Sequence, residues 1–204
     1  MLTQKELGII ELYRKNIFSD FNILEIMKKM NTKSYSWTYN SVKKLLKENI
    51  ISSEIRGQSR LCKINLNNQK TIAYLCLLEE LNALNNQIPN TEKLLELMPL
   101  DFHILIITGS YAEKKQKETS DLDVVVIIND ENEKKWLWNK LENRGSLMIP
   151  KLHPYVFTRK EFLEMLTNKE ENYGKEIDKK HLIISGAEFY FKILIEAVNN
   201  GYKR

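Results

Sequence analysis

Apolar residues recur at helical spacing over residues 3–16, where Leu7, Ile9, Ile10, Leu12 and Tyr13 follow a Thr3-x-x-Glu6 capping box. After a break at Ser19-Asp20 the pattern predicts a short second helix with Ile23, Leu24, Ile26 and Met27 inward, closed by a turn at Asn31-Thr32. A third helix is expected from about residue 36 to 48, with Val42, Leu45 and Leu46 toward the core. Two strand-like runs, 50–55 and 61–66, then flank Arg56-Gly57-Gln58-Ser59-Arg60. Residues 69–85 predict one longer helix, with Ile72, Leu75, Leu78, Leu81 and Leu84 at three-residue steps. The stretch 85–90 stops it, and Thr91 caps a short helix ending near Met98-Pro99.

Beyond this point the pattern changes. An apolar run over 104–107 ends at Thr108-Gly109-Ser110, the mark of a buried strand stopping at a tight backbone bend. A second run, 124–128, opens behind Asp121 and Asp123. Period-two geometry places both carboxylates on one strand face and Leu122 on the other. Paired carboxylates repel unless a cation lies between them, and hard oxygen ligands of this kind suit Mg²⁺.

A helix is expected at 133–141, with Trp136 and Trp138 assigned to packing, and then a turn at 143–145. Residues 147–149 and 152–157 supply one or two strands, and Thr158-x-x-Glu161 is a second capping box opening a helix with Phe162 and Leu166 inward. The charged stretch 168–181 is expected to be solvated and irregular or weakly helical. A last helix, 186–199, should bury Phe189, Ile193, Leu194 and Ala197.

Length and composition narrow the field without naming a function. A chain of 204 residues, 43% hydrophobic and 28% charged, holds one large or two small globular domains. A net charge of +4 excludes a dedicated polycation and leaves room for a local basic patch. Cys62 and Cys76 lack metal-ligand spacing and are expected to be reduced. No apolar stretch approaches the roughly 18 residues of a membrane span, and the N-terminus lacks a signal-peptide core, so a cytoplasmic protein without a membrane partner is expected.

Gly109, Ser110, Ala112, Ser120, Asp121 and Asp123 together resemble the signature of the nucleotidyltransferase superfamily, which includes polymerase beta-like enzymes, kanamycin nucleotidyltransferase and the minimal nucleotidyltransferases. One departure stands inside the motif: Lys114 occupies a position where the family often has glycine. The resemblance implies a mixed β-sheet flanked by helices, a nucleoside triphosphate as substrate, and one or two Mg²⁺ ions on Asp121 and Asp123. It also implies that Gly109 and Ser110 cradle the phosphates, with Ser120 on the nucleotide side; Lys114, Lys115 and Lys117, on or just past the short helix, are placed to bind nucleotide by neutralising the triphosphate, to line a polyanionic acceptor, or to form a solvated charge run. The family completes its site with a third acid on a neighbouring strand. Here that strand offers His153, which fits a general base, a metal ligand, or a site that binds nucleotide without turning it over.

The N-terminal order of three helices and a hairpin resembles a winged helix-turn-helix module. That likeness implies DNA contacts from Lys33, Tyr39, Asn40, Lys43 and Lys44, with Arg56 and Arg60 from the wing. Modules of this shape also serve protein–protein contact, and that reading stands beside the first. The chain is therefore expected to be α+β: a winged-helix domain over 1–68, a helical connector over 69–98 and a nucleotidyltransferase-like domain over 99–204. Two functions follow, a Mg²⁺-dependent nucleotidyltransferase or a DNA-binding regulator with a degenerate, nucleotide-sensing site. Expected partners are a nucleoside triphosphate, DNA, a second copy through 69–85, and the small helical protein that minimal nucleotidyltransferases often pair with.

Overall fold

Thr3 accepts a hydrogen bond from the Glu6 backbone while the Glu6 carboxylate reaches back to the Thr3 amide, and this capping box starts α1 (Gln4–Arg14). The computed structural model describes residues 2–99 and 102–203. Its contacts divide the chain into two units, Met1–Leu78 and Glu79–Arg204. In the first unit, α1 is followed by β1 (Asp20–Phe21), α2 (Ile23–Lys29), α3 (Tyr35–Lys47), β2 (Ile51–Arg56), β3 (Ser59–Ile64) and α4 (Gln69–Asn85), the helix within which the division falls. β2 and β3 form an antiparallel hairpin about Gly57, whose φ of +59° suits a residue without a β-carbon. β1 adds to β3 as a short third strand, giving the order β1-β3-β2. The apolar pattern does not announce β1, because two residues carry no period. Leu24, expected inward, is 60% exposed, and Ile26 alone of α2 is fully buried.

The second unit runs α5 (Thr91–Leu97), β4 (His103–Ile107), α6 (Gly109–Ala112), β5 (Leu122–Ile128), α7 (Glu131–Gly145), β6 (Leu152–Thr158), α8 (Arg159–Thr167), α9 (Tyr173–Lys179), β7 (Leu182–Ser185) and α10 (Ala187–Asn199). Its sheet has the order β6-β5-β4-β7. β5 and β6 are parallel and the other pairings antiparallel, so the sheet is mixed and the unit is α+β. β5 is central, and Val124 to Ile128 are fully buried, as a continuous apolar run on a two-sided strand requires. Each such side chain contributes on the order of 1.5–3 kcal/mol by leaving water. One face, with Leu105, Ile107, Leu122, Val124, Val126 and Ile128, packs on Leu137 and Leu141 of α7 and Leu94 of α5. The opposite face, which carries Asp123, Val125 and Ile127, meets α8, and β4 beside it meets α10.

Several expectations change here. Residues 147–149 form no strand, and Leu147 and Ile149 are 83% and 92% exposed. Trp136 and Trp138, assigned to packing, are exposed on α7, where Trp136 carries the Lys140 ammonium over its ring at 4.9 Å. The stretch expected to be solvated contains α9, with Lys175, Ile177 and Asp178 buried. Phe189 is half-buried against Phe102, while Tyr190 and Phe191 join Ile193, Leu194 and Ala197 inside. Among the described residues no helix is long and apolar enough to cross a membrane.

Candidate active site

β4 ends at Ile107, Thr108 continues in extended conformation, and the chain turns at Gly109 with φ +65° into the single turn of α6. Only glycine takes that conformation without penalty. A second constraint bears on the same residue. A β-carbon built on Gly109 would lie 2.1 Å from Oδ2 of Asp123, so the carboxylate occupies the space that the missing side chain leaves open. The backbone is tied there too, with the Thr108 amide donating to the Asp123 carbonyl at 3.1 Å.

Asp121 is exposed immediately before β5, and Asp123 is half-buried two residues on, with the same parity. The Leu122 amide between them donates to the Lys151 carbonyl at 2.8 Å, which fixes the strand's entry beside β6. Burial pushes the Asp123 carboxyl above its ordinary value; a hydrogen bond from His153 opposes the shift and the charge of Asp121 reinforces it.

The parallel register pairs Asp123 directly with His153. His153 Nδ1 lies 3.2 Å from Asp123 Oδ1 and 3.3 Å from the Tyr155 hydroxyl. A proton on Nδ1 directed at the ionised carboxylate leaves the Nε2 lone pair free for a substrate proton. Beside it, the His153 and Tyr155 ring centroids are 4.7 Å apart and those of Tyr155 and Tyr173 are 4.8 Å apart. Desolvation raises the Tyr173 hydroxyl well above its usual range, so it stays protonated.

Asp123, Tyr155 and Tyr173 border a cleft of about 260 Å³ lined also by Thr108, Gly109, Glu113, Glu176 and Lys180, while Asp121 and His153 stand outside its lining. Tyr173, Glu176 and Lys180 come from α9 and its C-cap, at spacing i, i+3 and i+7 along one helical face. Lys180 forms an ion pair with Glu113, which holds the Glu113 carboxyl below its ordinary value. The Lys180 carbonyl accepts the Thr108 hydroxyl at 3.2 Å. Glu113, Tyr155, Tyr173, Glu176 and Lys180 line the cleft without belonging to the acidic motif. The i, i+3, i+7 spacing of 173, 176 and 180 is the sequence feature that places the last three together.

Of the motif residues, Gly109 and Asp123 meet in the cleft. The Ser110 carbonyl accepts the Lys115 amide at 2.9 Å, and Ser120 Oγ accepts the Lys117 amide at 2.8 Å, pinning the loop between α6 and β5. Lys114 is exposed with φ +57° and is absent from the cleft lining. That left-handed backbone is what a glycine would take freely, which explains why the motif favours glycine there. In the first unit, Lys33, Tyr39, Asn40, Lys43 and Arg60 are exposed. Lys44 reaches Glu6 at 2.9 Å, and Arg56 reaches Asp20 at 2.9 Å and also pairs with Glu54.

Among the described residues no group of three or more His, Cys, Asp or Glu is arranged to hold a metal ion. A cation here would rest on Asp121 and Asp123 and complete its shell with water and phosphate oxygens, a manner of binding suited to Mg²⁺.

A family model described as a nucleotidyltransferase domain matches residues 91–198, a span that contains every residue lining the cleft. Neither the curated proteins nor the solved structures contain a match to the chain.

Proposed function

The chain belongs to the nucleotidyltransferase-domain family, and from that premise we propose that its cleft moves a nucleoside monophosphate from a nucleoside triphosphate to an acceptor hydroxyl. The observation that carries this reading is the Asp123 carboxylate lodged in the space left by Gly109, with Asp121 two residues away. Phosphates would lie against the Gly109-Ser110 backbone, and Lys180 would exchange its Glu113 partner for phosphate oxygens. Mg²⁺ on Asp121 and Asp123 would neutralise phosphate charge. His153 Nε2 would take the acceptor's proton while Asp123 holds the ring by Nδ1. The acceptor oxygen bonds to the α-phosphorus, the bond to the bridging oxygen breaks, and pyrophosphate leaves. The reaction is mainly one of positioning and charge stabilisation.

A second reading, a DNA-binding regulator whose cleft senses nucleotide without turnover, draws support from two observations. A histidine pairs with Asp123 where the family resemblance calls for an acid. In the first unit, the order α1-β1-α2-α3-β2-β3 resembles that of a winged helix, and α3 exposes Tyr39, Asn40 and Lys43.

One experiment separates the two. Purified protein and its Asp121→Asn/Asp123→Asn variant are incubated with α-labelled nucleoside triphosphates, Mg²⁺ or Mn²⁺, and cell extract as a source of acceptors. Label transferred by the wild type and not by the variant supports the enzyme and identifies the acceptor class. Nucleotide binding without transfer favours the regulator. The absence of both overturns both readings.

A further inference from the structure

Asp178 is fully buried, and both of its carboxylate oxygens accept short hydrogen bonds from tyrosines on other segments. The Tyr190 hydroxyl donates to Oδ1 at 2.6 Å from α10, and the Tyr202 hydroxyl donates to Oδ2 at 2.6 Å from the chain beyond α10. Hydrogen bonds to a buried carboxylate are among the stronger ones a fold can make, and losing one leaves a costly buried charge. No sequence period points to this group, and the transfer reaction above makes no use of it.

Its place on α9 gives it a consequence. α9 has only seven residues, too few to hold its own conformation in water. Along one face it carries Tyr173 and Glu176, with Lys180 at its C-cap, into the cleft beside Asp123. Away from that face Gly174, Lys175 and Asp178 are buried, and Ile177, one turn beyond Tyr173, is buried beside it. Ile177 is the large apolar anchor of α9, and Gly174 packs closely on Met165 of α8; the carboxylate–tyrosine contacts add the buried polar ties that hold the helix in register. Next to the clamp, the buried His181 ring lies 5.0 Å from Tyr190, its Nδ1 2.8 Å from the Ile177 carbonyl, which further fixes where Lys180 leaves the helix.

We propose that Asp178, clamped by Tyr190 and Tyr202, is a positioning residue for the nucleotide cleft: it sets the register of α9 so that Tyr173, Glu176 and Lys180 face Asp123. The inference rests on the cleft being the reaction site. Loss of one tyrosine hydroxyl lets α9 rotate or fray, and the lysine meant for phosphate moves away from the Gly109 turn.

The test compares Asp178→Asn and Tyr202→Phe with Leu137→Ala, a core change on the other face of the sheet. Three quantities are measured on the full chain: thermal stability, binding and transfer with ATP and Mg²⁺, and hydrogen exchange by mass spectrometry. The two clamp variants should lose roughly tenfold in ATP affinity or transfer, the order expected for one charge-assisted hydrogen bond. Exchange should rise over 173–180 and stay unchanged over β4 and β5. Leu137→Ala should lose at least as much stability while its folded fraction binds and transfers as wild type does. Clamp variants that lose function only in proportion to stability, or exchange that rises evenly through the unit, overturn the proposal. If wild type neither binds nor transfers, the enzymatic reading fails separately. Exchange at 173–180 then decides the clamp alone, and no selective rise there rejects it.

Discussion

The carboxylate of Asp123 stands where a β-carbon of Gly109 would be, 2.1 Å from its Oδ2. The turn and the acidic strand are thus fitted to each other through the absence of one side chain. Gly109→Ala must either unwind a backbone held at φ +65° or push the carboxylate aside. The strain costs about 1–2 kcal/mol, and a carboxylate displaced by about 1 Å should lower transfer about a hundredfold. Kinetics with labelled nucleotide check this, and an alanine variant with wild-type rate would sink the geometry.

Asp123 itself should cost the metal-free protein stability. Its folded carboxyl titrates above its unfolded value, chiefly through burial. A raised carboxyl contributes stability that is present below the unfolded pKa and lost as pH rises through the folded one. Asp123→Asn is therefore expected to melt higher than wild type near neutral pH in chelator, the difference shrinking as the solution is made acid. Thermal melts across pH test the sign, and a variant that melts lower near neutral pH contradicts it.

His153 is paired with Asp123 by strand register and hydrogen-bonded to it at 3.2 Å. If its Nε2 takes the acceptor's proton, His153→Ala should lower kcat by about a hundredfold with nucleotide affinity retained. An unchanged kcat would remove the base role. His153→Asp restores an acid beside Asp123, and tighter Mg²⁺ binding, read by calorimetry, is the expected outcome.

The first unit offers a prediction independent of the cleft. Burial pushes the Glu6 carboxyl up, but the Thr3 amide and the Lys44 ammonium outweigh it and hold the group below its ordinary value. A depressed carboxyl contributes stability that is present above the unfolded pKa and lost as pH falls through the folded one. Glu6→Gln should cost about 1–2 kcal/mol near neutral pH, with the gap to wild type closing in acid. Urea unfolding at several pH values reads it.

Lys114 gives the converse of Gly109. Its φ of +57° is a strained choice for lysine, and its side chain is outside the cleft lining. Lys114→Gly should leave transfer intact and change stability by less than about 1 kcal/mol, since relief of strain offsets the greater freedom of the unfolded chain. A large loss of transfer would return Lys114 to the nucleotide site.

Short-range features were legible from residues alone. Both capping boxes, Thr3 with Glu6 and Thr158 with Glu161, form as their spacing requires. The apolar run behind Asp123 becomes the buried β5, and the shared parity of Asp121 and Asp123 follows from strand period. Each depends on neighbours a few residues apart, where backbone geometry leaves little choice.

What the tertiary structure decided lies farther apart along the chain. His153 comes to Asp123 through a parallel register between strands 30 residues apart, and packing of the intervening α7 sets that register. α9 was hidden because its burial is not written in apolar letters: Lys175 and Asp178 are inside, and Asp178 is held by tyrosines 12 and 24 residues away. A charged residue can be buried when distant donors surround it, and nothing in the local pattern marks which charge that will be. Trp136 and Trp138 show the reverse, large apolar rings left exposed because α7 turns its Leu137 and Leu141 face to the sheet. Local period thus determined the elements and the acidic motif. The cleft around the motif, with Tyr173, Glu176 and Lys180 brought to Asp123, was decided by which faces could be covered once the sheet closed.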